Sequence, residues 1–239
     1  RWVFGGNRTG KTECGAVETV WLARGNHPYK PNKPQTDGWV VSLSTQVQRD
    51  VAQQKILYYL NKDWIVDVIM QSGKKESMEY GIIDKILVRN VSGKISTIGF
   101  KSVDQGREKF QGTSLDYVWF DEEPPQDIYM ECKMRVVDKC GEIFGTMTPL
   151  KGLTWVYNEV YLNERNDEDI WFETISWQDN PFLNQDEIKK LKSQMSQKEL
   201  ESRCDGKFIT SNGLVYPNFD ENYNVIDPFD VPKEWFDNI

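Results

Sequence analysis

Residues 4 to 13 read FGGNRTGKTE, and this short stretch restricts the folds available to the chain more than any other. It fits the pattern G-x-x-x-x-G-K-[ST], with Gly5, Gly10, Lys11 and Thr12 at the fixed positions. An apolar run before it predicts a strand, and KTECGAVETVWLAR after it predicts a helix. A strand, a glycine-rich loop and a helix in this order typically hold a phosphate group. The alternative interpretation is an ordinary strand-to-helix turn.

The residue types in this loop suit a triphosphate with a magnesium ion. Glycines let backbone N–H groups surround the phosphates, and the helix N-terminus adds the positive end of its dipole. We expect Lys11 to contact the β- and γ-phosphates and the Thr12 hydroxyl to bind Mg²⁺. The predicted nucleotide contacts are Gly5, Gly6, Asn7, Arg8, Thr9, Gly10, Lys11 and Thr12.

Composition excludes several classes of protein. The 239 residues are 38% hydrophobic and 13% aromatic, which favours a folded chain of one large domain or one domain with a smaller one. No apolar run approaches the roughly 20 residues of a membrane span, so we expect no membrane association. A net charge of −8 argues against a surface that binds nucleic acid all over, although a local basic channel remains compatible with it.

Histidine and cysteine usage argues against two further kinds of site. His27 is the only histidine, and its polar surroundings predict a surface loop. A histidine-based catalytic or metal site is therefore not expected. The four cysteines include no C-x-x-C pair, which favours reduced thiols over a zinc site.

Strand and helix patterns alternate up to about residue 150 and predict an α/β fold with a mostly parallel sheet flanked by helices. Helices are expected over 45–62 and 154–165, and a β-hairpin over 82–100. Two capping patterns then begin a helical region, one at Asn184 and one at Ser196. We therefore predict a core domain over 1–178 and a small helical linker subdomain over 179–239.

The stretch LDYVWFDEEPP supplies acids that the phosphate loop lacks. Asp121 ends a predicted strand, where ligands bind in open α/β sheets, and is expected to hold Mg²⁺ through water. Glu122 follows directly and could polarise an attacking water, so the pair favours hydrolysis over kinase-type transfer. Glu123 is interpreted as an acid at the start of a helix or behind the catalytic pair. The alternative for the whole stretch is a helix N-terminus with its usual acids and prolines.

A third stretch, FGTMTP, ends another predicted strand. The hydroxyls of Thr146 and Thr148 could detect the γ-phosphate and relay its loss. A plain strand-to-turn segment is the alternative interpretation.

Four stretches in this order resemble the large terminase subunit of tailed bacteriophages: GGNRTGKTE, QGREKFQGTSLDYVWFDEEP, FGTMTPLKGLTWVY and RCDGKFITSNGLVYPNF. The resemblance runs from about residue 1 to 220 and implies a RecA-like P-loop NTPase of the ASCE type. It makes Gly5 to Thr12 the Walker A motif. It makes Asp121 and Glu122 the Walker B aspartate and the catalytic glutamate, and Thr146 to Thr148 the coupling motif.

The resemblance also implies a function. In that family an N-terminal ATPase, with ATP and Mg²⁺, powers packaging of double-stranded DNA into a procapsid. The implied partners are the portal protein, the small terminase subunit and further copies of the chain in a ring, all in the host cell cytoplasm. The acidic cluster of the family's C-terminal nuclease is not found in these residues, so no nuclease activity is expected from them. Adenine contacts are expected upstream of Arg1.

Two other functions compete with this one. A helicase-like translocase would carry a second RecA lobe, and the stretch after residue 150 is short for one. A non-hydrolysing nucleotide-binding assembly module would not need the Asp121–Glu122 pair. Because no second lobe supplies an arginine, we expect Arg107 to act on the nucleotide of a neighbouring subunit and Arg8 to act within its own. The alternative is that Arg107 is a DNA-facing or solvated surface charge.

Overall fold

The computed structural model of this protein describes residues 1–71, 77, 78, 80–163 and 165–209, with only the backbone of Lys198. The predicted connection over 210–239, including the end of the fourth resemblance stretch, lies outside the described residues.

Eight strands form one sheet, in the order β3-β4-β5-β2-β6-β7-β1-β8. Six of them, from β5 to β8 in that order, pair in parallel, while β3 and β4 extend the sheet antiparallel next to β5. The prediction of a mostly parallel sheet is confirmed, as is the hairpin, which is formed by β4 and β5. The strands are β1 Trp2–Gly5, β2 Asp37–Ser42, β3 Ile65–Met70, β4 Ile83–Arg89, β5 Ile95–Ser102, β6 Tyr117–Asp121, β7 Glu142–Met147 and β8 Phe172–Ile175.

The strand order determines where the predicted site residues meet. β7 lies between β1 and β6, and all three run in the same direction. Their carboxyl ends therefore share one edge of the sheet, which is where open α/β sheets bind ligands.

Helices cover both faces of the sheet. Within the described residues they are α1 Lys11–Arg24, α2 Thr45–Val47, α3 Gln54–Tyr59, α4 Gln126–Val136, α5 Gln185–Gln194 and α6 Gln197–Arg203. A π-helical segment, Gln48–Gln53, joins α2 to α3, so the helix predicted over 45–62 ends at Tyr59. The helix predicted over 154–165 is a short one whose π-helical part is Tyr157–Tyr161.

The core is divided by the sheet. On one face α1 packs its alanines and Val20 against β-strand side chains that include Trp119. The indole of Trp119 lies so close to Gly15 that a Cβ there would be 2.1 Å from the ring, so only glycine permits this approach. On the other face α4 packs Ile128 and Cys132 against Phe120. The P-loop helix is thus held directly against the strand that carries Asp121.

The helical region after β8 forms a small cluster of its own. Trp177, Ile188 and Cys204 are its buried members, and Leu183 packs against them. The Asn184 side chain caps α5, while Ser196 and Glu199 form a reciprocal capping box at the start of α6. Both predicted helix starts are confirmed.

The surface position predicted for His27 is wrong. The residue is buried, and its Nε2 lies 2.9 Å from a carboxylate oxygen of Glu18 on α1. The four cysteines are free, as expected. Over the described ranges, none of the helices combines the length and the apolar character needed to cross a bilayer.

Candidate nucleotide-binding and hydrolysis site

The loop between β1 and α1 is compact. Thr9 Oγ1 donates to the carbonyl of Gly6 at 2.9 Å. Arg8 and Gly10 both have positive φ angles, 62° and 95°, and Gly10 precedes the first helical residue. The left-handed conformation at Gly10 favours glycine because a Cβ would be strained there. The motif glycine is therefore used to turn the chain into α1.

Lys11 folds back over this loop. Its Nζ donates to the Gly6 carbonyl at 2.6 Å, and the side chain is mostly buried. Burial lowers the pKa of Lys11, while the nearby carboxylates of Glu122 and Asp121 act in the opposite direction. The ammonium group thus lies between the loop and two acids.

Thr12 and Asp121 meet at the carboxyl end of β6. The Thr12 hydroxyl donates to Asp121 Oδ1 at 3.0 Å, and the Thr146 hydroxyl lies 3.3 Å from the same oxygen. Asp121 and Thr146 are register partners on β6 and β7, which explains their proximity. The indole of Trp119 donates to the Thr146 hydroxyl at 2.9 Å and fixes it in place.

Asp121 is almost fully buried, with 3% of its surface exposed. Burial raises its pKa from 3.8 to about 6, against the hydrogen bonds of Thr12 and Thr146, which favour the ionised form. A carboxylate in such a position costs stability unless a cation or donor compensates it.

Glu122 leaves the strand with a φ angle of 81°, which is rare for a residue with a side chain. Its backbone N–H donates to the Thr146 carbonyl at 2.8 Å, and its Oε2 accepts the backbone N–H of Thr148 at 3.0 Å. Burial raises the pKa of Glu122, against the hydrogen bond from Thr148. Both ends of this residue are therefore fixed by the end of β7.

Thr148 also contacts the phosphate loop. Its hydroxyl donates to Asn7 Oδ1 at 3.3 Å. Glu123, by contrast, is buried and has an Oε2 without a hydrogen-bond partner among the described residues, and burial raises its pKa.

The two arginines lie in different places. Arg8 is exposed on the phosphate loop and lines the cavity beside it. Arg107 lies on the α4 side of the sheet, where its Nη2 is 3.2 Å from Glu131 Oε2 and 56% of its side chain is exposed. The structure therefore brings Arg8, but not Arg107, to the phosphate loop of the same chain.

A cavity of about 780 Å³ opens next to the loop. This volume falls within the range of small-molecule and cofactor sites. One side is formed by the loop and the first turn of α1, and another by Val51, Lys55 and Tyr59. The third side is the segment 179–183, which includes Pro181 and Phe182.

Sequence reasoning missed the residues outside the motifs. Trp177 donates its indole N–H to the Asn7 carbonyl, and Asn180 Nδ2 donates to the Arg8 carbonyl at 2.8 Å. The Asn7 N–H donates to the carbonyl of Arg203 at 2.8 Å. The only signal in the sequence is the SWQDNPF stretch, rich in turn-forming and aromatic residues.

Comparison with known proteins agrees with this arrangement. A family model described as "Terminase large subunit, T4likevirus-type, N-terminal" matches residues 3–223. The chain belongs to this family. This terminase chain is 24% identical to the terminase large subunit of Salmonella phage P22 over 265 aligned residues, which cover 99% of this chain and 52% of that protein.

Solved terminases share the fold. The large terminase from a thermophilic bacteriophage matches with a TM-score of 0.69 and 14% identity, over 92% of this chain and 51% of that one. The ATPase domain of the Thermus phage P74-26 large terminase matches with a TM-score of 0.62 and 18% identity, over 87% and 88%. The terminase chain therefore has the RecA-like P-loop NTPase fold, and it spans about half the length of the curated relative it matches.

Proposed function

We propose that this chain is the ATP-hydrolysing motor domain of a terminase large subunit, which drives double-stranded DNA into a procapsid. The observation that carries the proposal is the convergence of Lys11, Asp121 and Glu122 on one cavity edge, at the carboxyl ends of neighbouring strands. Structures of the large terminase from the thermophilic bacteriophage with ADP and with ATP-gamma-S support ATP as the nucleotide.

ATP binding follows from the position of Lys11. Its ammonium now donates to a neutral carbonyl, that of Gly6. A phosphate oxygen is a stronger acceptor because the bond is then charge-assisted on both sides. Lys11 would exchange the carbonyl for the β- and γ-phosphates, and the backbone of residues 5–12 would surround them.

The residues present fit Mg²⁺. The Thr12 hydroxyl and the Asp121 carboxylate are oxygen donors within 3.0 Å of each other, and Mg²⁺ prefers oxygen ligands with one or two carboxylates and substrate phosphates. In the described part of the chain, no group of three or more His, Cys, Asp or Glu side chains could hold a metal by itself. This agrees with a site completed by phosphate oxygens. Bound Mg²⁺ would neutralise charge on those oxygens.

Glu122 is proposed as the group that activates water. Its carboxylate is fixed by the Thr148 N–H, and burial raises its pKa, which makes it a better proton acceptor. It would orient the water that attacks the γ-phosphate and accept its proton. Glu123 is the next candidate because it is adjacent and also buried.

Thr146 and Thr148 are proposed to couple hydrolysis to movement. Thr146 contacts Asp121, and Thr148 contacts both Glu122 and Asn7. Any rearrangement of the phosphate loop after loss of the γ-phosphate would therefore reach β7 through these two residues.

An arginine would complete the site by stabilising charge on the γ-phosphate. Arg8 lines the cavity of its own chain, whereas Arg107 lies on the opposite face and is half exposed. We propose that Arg8 acts within the subunit and that Arg107 acts on the neighbouring subunit of a homo-oligomeric ring.

The wider assignments follow family membership. The proposed partners are double-stranded DNA, the portal protein and the small terminase subunit, and the proposed location is the host cell cytoplasm. We propose a core domain over 1–178 and a linker subdomain over 179–239. No nuclease activity is proposed for these residues.

The test is ATP hydrolysis by the purified chain, with and without double-stranded DNA, measured as phosphate release. We expect hydrolysis by the wild type and by Glu173→Gln, which changes an exposed acid on β8, and none above background by Glu122→Gln. Absence of hydrolysis in all three would favour a non-hydrolysing module. Strand separation on a duplex substrate would favour a helicase-like enzyme.

A further inference from the structure

Phe182 is unusually exposed for its chemistry. It has 94% of its surface exposed, the highest value among the large hydrophobic side chains of the described residues. It also lines the cavity beside the phosphate loop. A phenylalanine ring in water is unfavourable, and an exposed apolar surface in a ligand cavity often marks a binding surface.

The segment that carries Phe182 is attached to the phosphate loop. The Asn180 side chain donates to the Arg8 carbonyl at 2.8 Å and accepts the Phe182 N–H at 3.0 Å. On one side of it Pro181 restricts the backbone, and on the other Leu183 packs into the cluster of Trp177. The ring is therefore held at a fixed distance from the loop rather than carried by a free chain.

The shape of the cavity leaves a place for the rest of a nucleotide. Lys11 and Thr12 occupy the end where phosphates would lie, and the cavity extends from them to Phe182 on one side and Tyr59 on the other. Between these walls, Lys55 forms an ion pair with Glu13. A triphosphate alone would leave the aromatic end of a cavity of about 780 Å³ unfilled.

We propose that Phe182 is the stacking surface for the base of the bound nucleoside triphosphate. This inference rests on the proposed function of the phosphate loop. Every nucleobase has a π-face, and stacking on an aromatic ring needs no hydrogen bond from the protein. The base contact then comes from the segment after β8, which is linked to the phosphate loop through Asn180.

The experiment separates the base from the phosphates. Binding of ATP and of inorganic tripolyphosphate, each with Mg²⁺, is measured by calorimetry or competition for the wild type and for Phe182→Ala, Phe182→Leu and Phe182→Trp. We expect Phe182→Ala and Phe182→Leu to weaken ATP binding by roughly 5- to 150-fold, the range for loss of one stacked base. Phe182→Trp should retain ATP affinity, and no variant should change tripolyphosphate affinity.

Tyr29→Ala is the matched control because Tyr29 is also highly exposed but lies outside the cavity. It should change neither affinity. Unchanged ATP affinity in Phe182→Ala would overturn the proposal, and so would an equal loss of tripolyphosphate affinity. Lys11→Ala distinguishes the two levels of inference. If it weakens both ligands while Phe182→Ala weakens neither, the stacking surface alone is wrong. If Lys11→Ala weakens neither ligand, the phosphate loop assignment has failed.

Discussion

The carboxylate of Glu122 accepts the backbone N–H of Thr148 at 3.0 Å, so the acid that follows β6 is fixed by the end of β7. The same threonine contacts Asn7 through its hydroxyl at 3.3 Å. One residue thus joins the proposed base to the phosphate loop. Because the contact to Glu122 uses the backbone and the contact to Asn7 uses the side chain, the two connections can be tested separately by mutation.

Lys11→Ala should weaken ATP binding by about 10- to 150-fold, the effect of losing a hydrogen bond to a charged group. The fold should survive because Lys11 donates only to the Gly6 carbonyl and the burial of an amine is relieved. Nucleotide binding measured by calorimetry checks this. Lys62→Ala, an exposed lysine, is the control. Normal affinity in Lys11→Ala would contradict the phosphate loop assignment.

Glu122→Gln should bind Mg·ATP normally and lose about 10²- to 10⁴-fold in turnover, the usual contribution of a general base. The amide cannot accept the proton of the attacking water. Single-turnover phosphate release, with nucleotide binding measured in parallel, tests both parts. If the variant turns over at the wild-type rate, Glu123→Gln becomes the decisive substitution.

The sequence predicted the acids and threonines of this site because each belongs to a local pattern. Asp121 and Thr146 end apolar runs, and parallel strands bring such ends together. The prediction stopped at residues that reach the loop only through tertiary packing. Phe182 and Trp177 come from the segment after β8, and no local periodicity indicates that this segment turns back onto the phosphate loop.

Burial caused the other difference. His27 was predicted on the surface because its neighbours are polar, yet it is buried with its Nε2 2.9 Å from a Glu18 carboxylate oxygen. A polar loop can cover an ion-pairing partner on a helix, and composition alone does not show such a partner. The end of the helix at Tyr59 similarly follows from a π-helical segment that hydrophobic spacing does not distinguish from α-helix.

Thr148→Val should keep most ATP hydrolysis and reduce the DNA packaged per ATP. The backbone N–H that holds Glu122 remains, whereas the hydroxyl contact to Asn7 is lost. Thr148→Ser retains that hydroxyl and is the control. Packaging by the full-length subunit with its procapsid, measured with ATP consumption, gives the ratio. An unchanged ratio in Thr148→Val would count against a coupling role.

Asp121→Asn should stabilise the nucleotide-free chain at neutral pH while abolishing hydrolysis. Burial raises the pKa of Asp121 from 3.8 to about 6, so the folded state loses stability as the carboxyl ionises. That loss is on the order of 3 kcal/mol above about pH 6 and disappears as the pH falls towards the unfolded value. Denaturant unfolding of both proteins at about pH 7.5 and about pH 4.5 should show a gain from Asp121→Asn that shrinks at the lower pH. An equal gain at both pH values would contradict the ionisation argument.

Arg107 allows a test of whether a neighbouring subunit completes the site. Its partner Glu131 also pairs with Arg135 at 3.2 Å, so Arg107→Ala should leave the fold intact and cost at most about 1 kcal/mol. In a ring, Arg107→Ala and Glu122→Gln subunits should each be inactive alone. Mixed, they should partly regain ATPase activity, because some interfaces then pair an intact arginine with an intact glutamate.

The same mixing experiment distinguishes Arg107 from Arg8. Arg8 lines the cavity of its own chain, so an Arg8→Ala subunit mixed with a Glu122→Gln subunit should regain nothing, since every site then carries one defect. Arg107→Lys keeps the charge but loses the planar, two-pronged guanidinium, and should restore little activity. If assembled rings of Arg107→Ala and Glu122→Gln subunits stay inactive while Arg107→Ala still binds ATP, the arginine does not act across the interface, and its exposed side chain serves another surface of the motor.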